Sequence, residues 1–204
     1  MMQTVRVPLA SNTLYVSGTV NGVEKIWTRG EGNIWSAAAD RATDGVYRVA
    51  LSIIYGDGKT TTDSVTLYYG LVLVTDRTQA DVTNGTEKGY YNASDLNRVG
   101  SAMAYLRDRF RDSGYNVDIN PYTTWQEADI PDRDDMTLYL GCLGTLRGIL
   151  TLPADTPDAL DAMEHLTYTA ANNIEKILET VDDMLTKSLS FVWYSGDLYA
   201  GEVM

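Results

Sequence analysis

From Leu166 to Glu202 the apolar positions fall at Ile174, Ile177, Leu178, Val181, Met184, Leu185, Leu189 and Val192. Steps of three and four place them on one stripe of a helix. Glu175, Lys176, Glu179, Asp182, Asp183 and Lys187 are expected on the opposite, wet face. Thr167 can accept from an orphan amide of the first turn, and Gly196 is the expected stop. A stripe this wide must be buried against other helices. Two further stripes answer it. Leu96, Val99, Met103, Leu106 and Phe110 form the first, ended by Ser113-Gly114. Met136, Leu140, Leu143, Leu146 and Leu150 form the second, opened by Ile130-Pro131-Asp132 with acids at the positive helix end. Gly141, Gly144 and Gly148 lie on that second helix. Each costs about 1 kcal/mol against alanine, so another backbone or an aromatic ring is expected to pack there. Tyr115–Ile119 reads as a short strand and Asp158–Leu166 as a short helix.

Upstream of residue 75 the period is two. Val5, Val7 and Leu9 alternate, as do Leu14, Val16 and Val20. Asn21-Gly22 is a hairpin signal, since both residues tolerate positive φ. Ile26 and Trp27, then Ile34 and Trp35, mark two more strands. Asp44-Gly45 turns into Val46–Tyr55, and Gly56-Asp57-Gly58 turns into Thr60–Tyr69. Turns at this spacing predict a sandwich. Asp76 or Thr78 can cap a short helical turn through Val82, which Asn84-Gly85 and Gly89 then break. The pattern therefore predicts an α+β chain of two domains: a β-sandwich over 1–74, a linker over 75–93, and a helical domain over 94–204 with a short β pair.

Charge narrows the partners. The chain has 28 acids against 16 bases, a net of −12, so a phosphate-tracking surface and attraction to an anionic membrane are both disfavoured. Arg107, Arg109 and Arg111 form the one basic cluster, and acids stand beside it, so Arg107, Asp108, Arg109, Arg111 and Asp112 are expected to face water. No stretch approaches the length of a membrane span. The start, MMQTVRVPLA, holds no apolar run long enough for a signal peptide, which predicts an intracellular product or exit by a route that needs no signal.

Chemistry is sparse. Cys142 is the single cysteine and His165 the single histidine, so neither a disulfide nor a cysteine zinc site can form within the chain. A Ser or Cys nucleophile would have His165 alone as its imidazole base; a connector histidine is the plainer reading. Asp132, Asp134 and Asp135, and likewise Asp155, Asp158 and Asp161, read as charges at helix starts. Asp40, Asp44, Asp57 and Asp63 lie near sandwich loops but lack calcium-loop spacing. GDGKTTTDS has the look of a phosphate loop, yet it falls between two strands and reads as a hairpin turn. No catalytic residue, cofactor or metal is expected.

Two resemblances carry the functional reading. DGVYRVALSIIYGDGKTTTDSVTLYY, with Trp35 upstream, resembles the closing strands of bacterial immunoglobulin-like modules over residues 10–74. It implies an immunoglobulin-like β-sandwich and little about ligand. LVTDRTQADV, YYNASDLNRVGSAMAYL, TTWQEADIP, LTYTAANNIEKIL and FVWYSGDLYAGE, in that order, resemble a helical domain encoded among tail genes of phages and prophages of Gram-positive bacteria. This implies a three-helix-based bundle after the sandwich.

The expected function is a non-enzymatic structural or adhesive tail component, in the distal tail, baseplate or fibre region. It would act by protein contact in the virion after assembly in the host cytoplasm. Other virion proteins and further copies of the chain are the expected partners, with a host-surface glycan as an additional ligand. The alternative is a carbohydrate-binding or enzyme-accessory module, which would need an exposed aromatic platform such as Trp27 and Tyr55. Fourteen Tyr and four Trp against two Phe favour rings that keep a polar tip, as interfaces use. The expected contact residues are Trp193, Tyr194, Leu198 and Tyr199, after the long helix. That segment either folds back as a strand beside Tyr115–Ile119 or extends into a neighbour.

Overall fold

The computed structural model describes residues 2–195, with side chains described to residue 189. The chain divides into two compact units at Val72/Leu73. The described residues form a mixed α+β structure with two antiparallel sheets and four α-helices.

The first unit is all β. One sheet has the order β1-β5-β4, with β1 at Met2–Pro8, β5 at Ile34–Asp40 and β4 at Thr28–Arg29. The other has the order β3-β2-β6-β7, with β3 at Val23–Ile26, β2 at Thr13–Val20, β6 at Val46–Tyr55 and β7 at Thr60–Tyr68. Alternate side chains from both sheets meet in one core: Val5 and Val7 from β1, Trp35 and Ala37 from β5, Val16 from β2, and Tyr47, Val49, Leu51 and Ile53 from β6. The β2–β3 turn is Asn21-Gly22, with φ of 50° and 78°, the doubly positive pair that suits the twist of a two-residue hairpin. The Tyr69 hydroxyl accepts from the Arg6 amide at 2.9 Å, and its ring meets Tyr47 edge-on at 5.4 Å, which ties the two sheets at one side.

One alternation departs from expectation. Leu14 is 66% exposed and Thr13 is buried in its place. The β2–β6 register shifts between Thr13 and Tyr15, and a bulge moves the following side chains to the other face.

The second unit contains α1 (Gln79–Asn84), α2 (Ala93–Asp112), α3 (Arg133–Ile149) and α4 (Tyr168–Ser195). Three long helices form because each presents an apolar stripe and a capped start. Asn92 with Asp95 and Asp132 with Asp135 make reciprocal capping boxes on α2 and α3. Thr167 caps α4, its hydroxyl accepting from Ala170 at 3.1 Å. Each long helix packs on the other two. Leu106, Phe110, Leu143, Leu146, Ile174, Ile177, Leu178, Val181 and Leu185 are fully buried. The long connectors 113–132 and 150–167 return the chain to the same end, so α2 and α4 run the same way. Arg98 meets Glu175 near their starts and Arg109 meets Asp182 further along.

Four local expectations fail here. Tyr115–Ile119 is not a strand. Its Val117 and Ile119 are buried, but their carbonyls accept from Arg111 and Arg107 of α2, not from another strand. No β pair therefore exists among the described residues of this unit. Residues 158–166 are not helical; Arg147 holds the Pro157 carbonyl at 3.0 Å and the Asp158 carboxylate at 3.0 Å. Arg107 and Arg109 are half-buried, and Arg109 pairs with Asp182 on α4, so that part of the basic cluster is not simply solvated. Finally, an added Cβ at Gly141, Gly144 or Gly148 would meet nothing within 4 Å. These glycines face open space; on the long helices the close-packed glycine is Gly100 of α2, where a Cβ would stand 2.4 Å from the Tyr122 carbonyl.

Candidate functional site

The chemistry of the helical unit is concentrated in a charge cluster that the periodic pattern concealed. Glu175 was expected on the wet face of α4, but it is fully buried. It follows Ile174 and shares a face with Ala171 and Leu178, both core positions. A carboxylate there is tolerable only if paired and hydrogen-bonded. Arg77, from the segment before α1, donates to Glu175 Oε1 at 2.8 Å and to Asp95 Oδ1 at 2.8 Å. Arg98 of α2 donates to Glu175 Oε1 at 2.9 Å, contacts Oε2 as well, and reaches Asp95 Oδ1 at 2.6 Å. The Val74 amide adds a bond to Oε2 at 2.5 Å. Asn172 brackets Arg77 from α4, accepting from its amide at 3.0 Å and donating to its carbonyl at 2.9 Å.

Two tyrosines close the cluster. Tyr91 and Tyr139 share a hydroxyl–hydroxyl bond of 2.6 Å, and the Arg77 guanidinium lies over the Tyr91 ring at 5.4 Å. Burial raises both phenols above their ordinary range. Burial opposes the charge of Arg98, but the Glu175 and Asp95 carboxylates outweigh it and hold its pKa up. Arg98 stays charged, the phenols stay protonated at neutral pH, and each carboxylate is engaged by two arginines. The arrangement fixes three chain segments together; it offers no free base or nucleophile.

Beside the cluster lies a groove of about 650 Å³. It is walled by Tyr90, Tyr91, Met136, Met163, Leu166 and Tyr168, with Arg77 also in its lining. These residues come from the starts of the long helices and the segments just before them, so α3 too begins at this end. Among the described residues that line it there is no acid. Arg77 Nε is buried without a hydrogen-bond partner.

The residues singled out from sequence lie elsewhere. Trp193 and Tyr194 belong to the last turn of α4, but their side chains fall outside the described residues, as do Leu198 and Tyr199 entirely. His165 sits exposed in the connector before α4 with φ of 58°. Cys142 is half-buried on α3, and burial raises its thiol pKa. Asp44, Asp57 and Asp63 each accept from a nearby backbone amide in their own turn or strand. No group of three or more His, Cys, Asp or Glu able to hold a metal occurs among the described residues. GDGKTTTDS is the β6–β7 turn and the start of β7. Trp27 and Trp35 are core residues and Tyr55 is half-buried, so Trp27 and Tyr55 form no exposed aromatic platform.

Sequence reasoning missed Arg77, Arg98 and Glu175. The available signal was position: Arg98 stands between Leu96 and Val99 on an apolar stripe, and Glu175 directly follows Ile174 on another. No helix among the described residues is long and apolar enough to cross a membrane. No family model, curated protein or solved structure matches this chain.

Proposed function

We propose that the chain is a non-enzymatic structural or adhesive component of a phage or prophage tail, in the distal tail, baseplate or fibre region, acting through protein–protein contact. In this reading the β unit is an immunoglobulin-like sandwich and the helical unit a three-helix-based bundle. The observation that carries it is a coincidence of segments. LVTDRTQADV, YYNASDLNRVGSAMAYL and LTYTAANNIEKIL bear the resemblance to tail-region proteins, and they also supply Arg77, Tyr91, Asp95, Arg98, Asn172 and Glu175. The resemblance therefore falls on the residues that hold the helical unit together, not on incidental surface. A cluster that locks segments in place, without a free base or nucleophile, suits a part whose work is to hold a shape.

The partners in this reading are other virion proteins and further copies of the chain, with a host-surface glycan as an additional ligand. Mass spectrometry and electron microscopy of purified virions test it. The chain is expected in stoichiometric amount at the tail tip; its absence from virions that assemble normally would overturn the reading.

A further inference from the structure

We propose that Asn84 is a site of spontaneous covalent modification, where the chain loses a side-chain amide to its own backbone and water. An Asn-Gly pair is the precondition, because glycine puts no Cβ beside the attacking nitrogen. The Gly85 amide gives up its proton to solvent and its nitrogen bonds to Asn84 Cγ; the Cγ–Nδ2 bond breaks and ammonia leaves. The cyclic succinimide then takes up one water. Opening at Cγ gives aspartate. Opening at the main-chain carbonyl gives isoaspartate, which routes the backbone through the side chain. The sum is one water in and one ammonia out, with nothing oxidised or reduced.

Four Asx-Gly pairs occur among the described residues, and the structure separates them. Asn21-Gly22 is clamped: Asn21 Oδ1 accepts from the Arg48 amide at 2.7 Å, and Nδ2 donates to the Val46 carbonyl at 3.4 Å. Turning Cγ toward the Gly22 nitrogen breaks both bonds. Asp44 and Asp57 each engage Oδ1 with the amide two residues on, at 3.0 Å, and an ionised carboxylate carries no leaving group to match ammonia. Asn84 is exposed, and its side chain makes no hydrogen bond among the described residues. It ends α1, a helix of 6 residues with no buried side chain, whose last turn costs little to open. The Gly85 N–H is shared between the Asp81 and Val82 carbonyls, at a long 3.3 Å from the latter. Opening that one turn frees both reacting atoms.

The test holds the full chain in mildly alkaline buffer, once folded and once in concentrated urea. Tryptic peptides are then read by mass spectrometry and by isoaspartyl methyltransferase labelling. Thr78–Lys88 contains Asn84 as its only asparagine, and fragment spectra separate Asn21 from Asn12 in Val7–Lys25. In the folded chain Asn84 should convert about tenfold or more faster than Asn21, since two side-chain hydrogen bonds must open at Asn21 first. In urea those bonds are gone, and the two sites should convert at rates within about threefold of each other. Asn84→Gln, which would have to close a larger and slower ring, should lose the methyl label from Thr78–Lys88. The proposal is overturned if Asn84 keeps its amide in the folded chain, if Asn21 keeps pace with it there, or if the label persists in Asn84→Gln. A contrast as large in urea as in the folded chain also overturns it, because sequence rather than structure would then set the rates. The tail assignment, read from virions, stands or falls separately.

Discussion

Glu175 shows how much one buried side chain can hold. It bonds Arg77 and Arg98, which lie 98 and 77 residues away in sequence. Removing one partner of a buried ion pair strands the other charges, at about 3–5 kcal/mol. Glu175→Ala should therefore lower stability by that amount in urea unfolding, whereas Glu179→Ala, on the exposed side of α4, should stay within about 0.5 kcal/mol. Tyr91 and Tyr139 add a pH dependence. Their phenols are held above the ordinary range in the folded chain and titrate near pH 10 once unfolded. The folded state then binds more protons, so their contribution is complete below about pH 10 and is lost as pH rises past it. An alkaline melting series should fall more steeply in the parent than in a Tyr91→Phe/Tyr139→Phe double variant. Little of this was legible in the sequence. An acid beside an apolar stripe looks like any solvated acid until its partners are known, and those partners arrive from distant segments.

At the scale of the element, periodicity was a good guide and cost was not. The α2 and α4 stripes appear where the steps of three and four put them, because a helix offers no other way to bury those residues. Leu178 is fully buried on α4, and Leu178→Ala should cost about 2–5 kcal/mol. The α3 glycines invert that logic. Their conformational cost suggested a close neighbour, yet open space surrounds them. Gly144→Ala should raise stability by up to about 1 kcal/mol, read from the urea midpoint at constant slope. A loss of stability would mean that the helix needs glycine there for a reason other than space. The strand reading of Tyr115–Ile119 failed because side chains of α2 supply the hydrogen bonds that a neighbouring strand would have given. A single sequence shows that Val117 and Ile119 are apolar, but not which groups satisfy the backbone between them.

At the scale of the molecule, the change of hydrophobic period marks the passage from β to α structure, and the two compact units divide at Val72/Leu73, somewhat before the helical period begins. The intervening segment reads as a linker because it lacks periodicity. Its Arg77 nonetheless reaches into the helical core, an attachment that no local pattern encodes. Residues 1–72 and 73–204, expressed separately, should each unfold in one cooperative transition, and their far-ultraviolet spectra should sum to that of the whole chain. Starting the second piece at residue 79 removes Arg77 and should abolish its cooperative transition.

The same attachment sets a timetable for synthesis. Arg77 and Arg98 leave the ribosome well before Glu175, which follows Arg77 by 98 residues. At about 5–20 residues per second that interval lasts roughly 5–20 s. By its end two arginines and two apolar stripes are out without the helix that completes them, while the β unit has had all of its strands from the start. The nascent helical half is thus the stretch that chaperones would meet exposed, and it can close only once α4 has emerged.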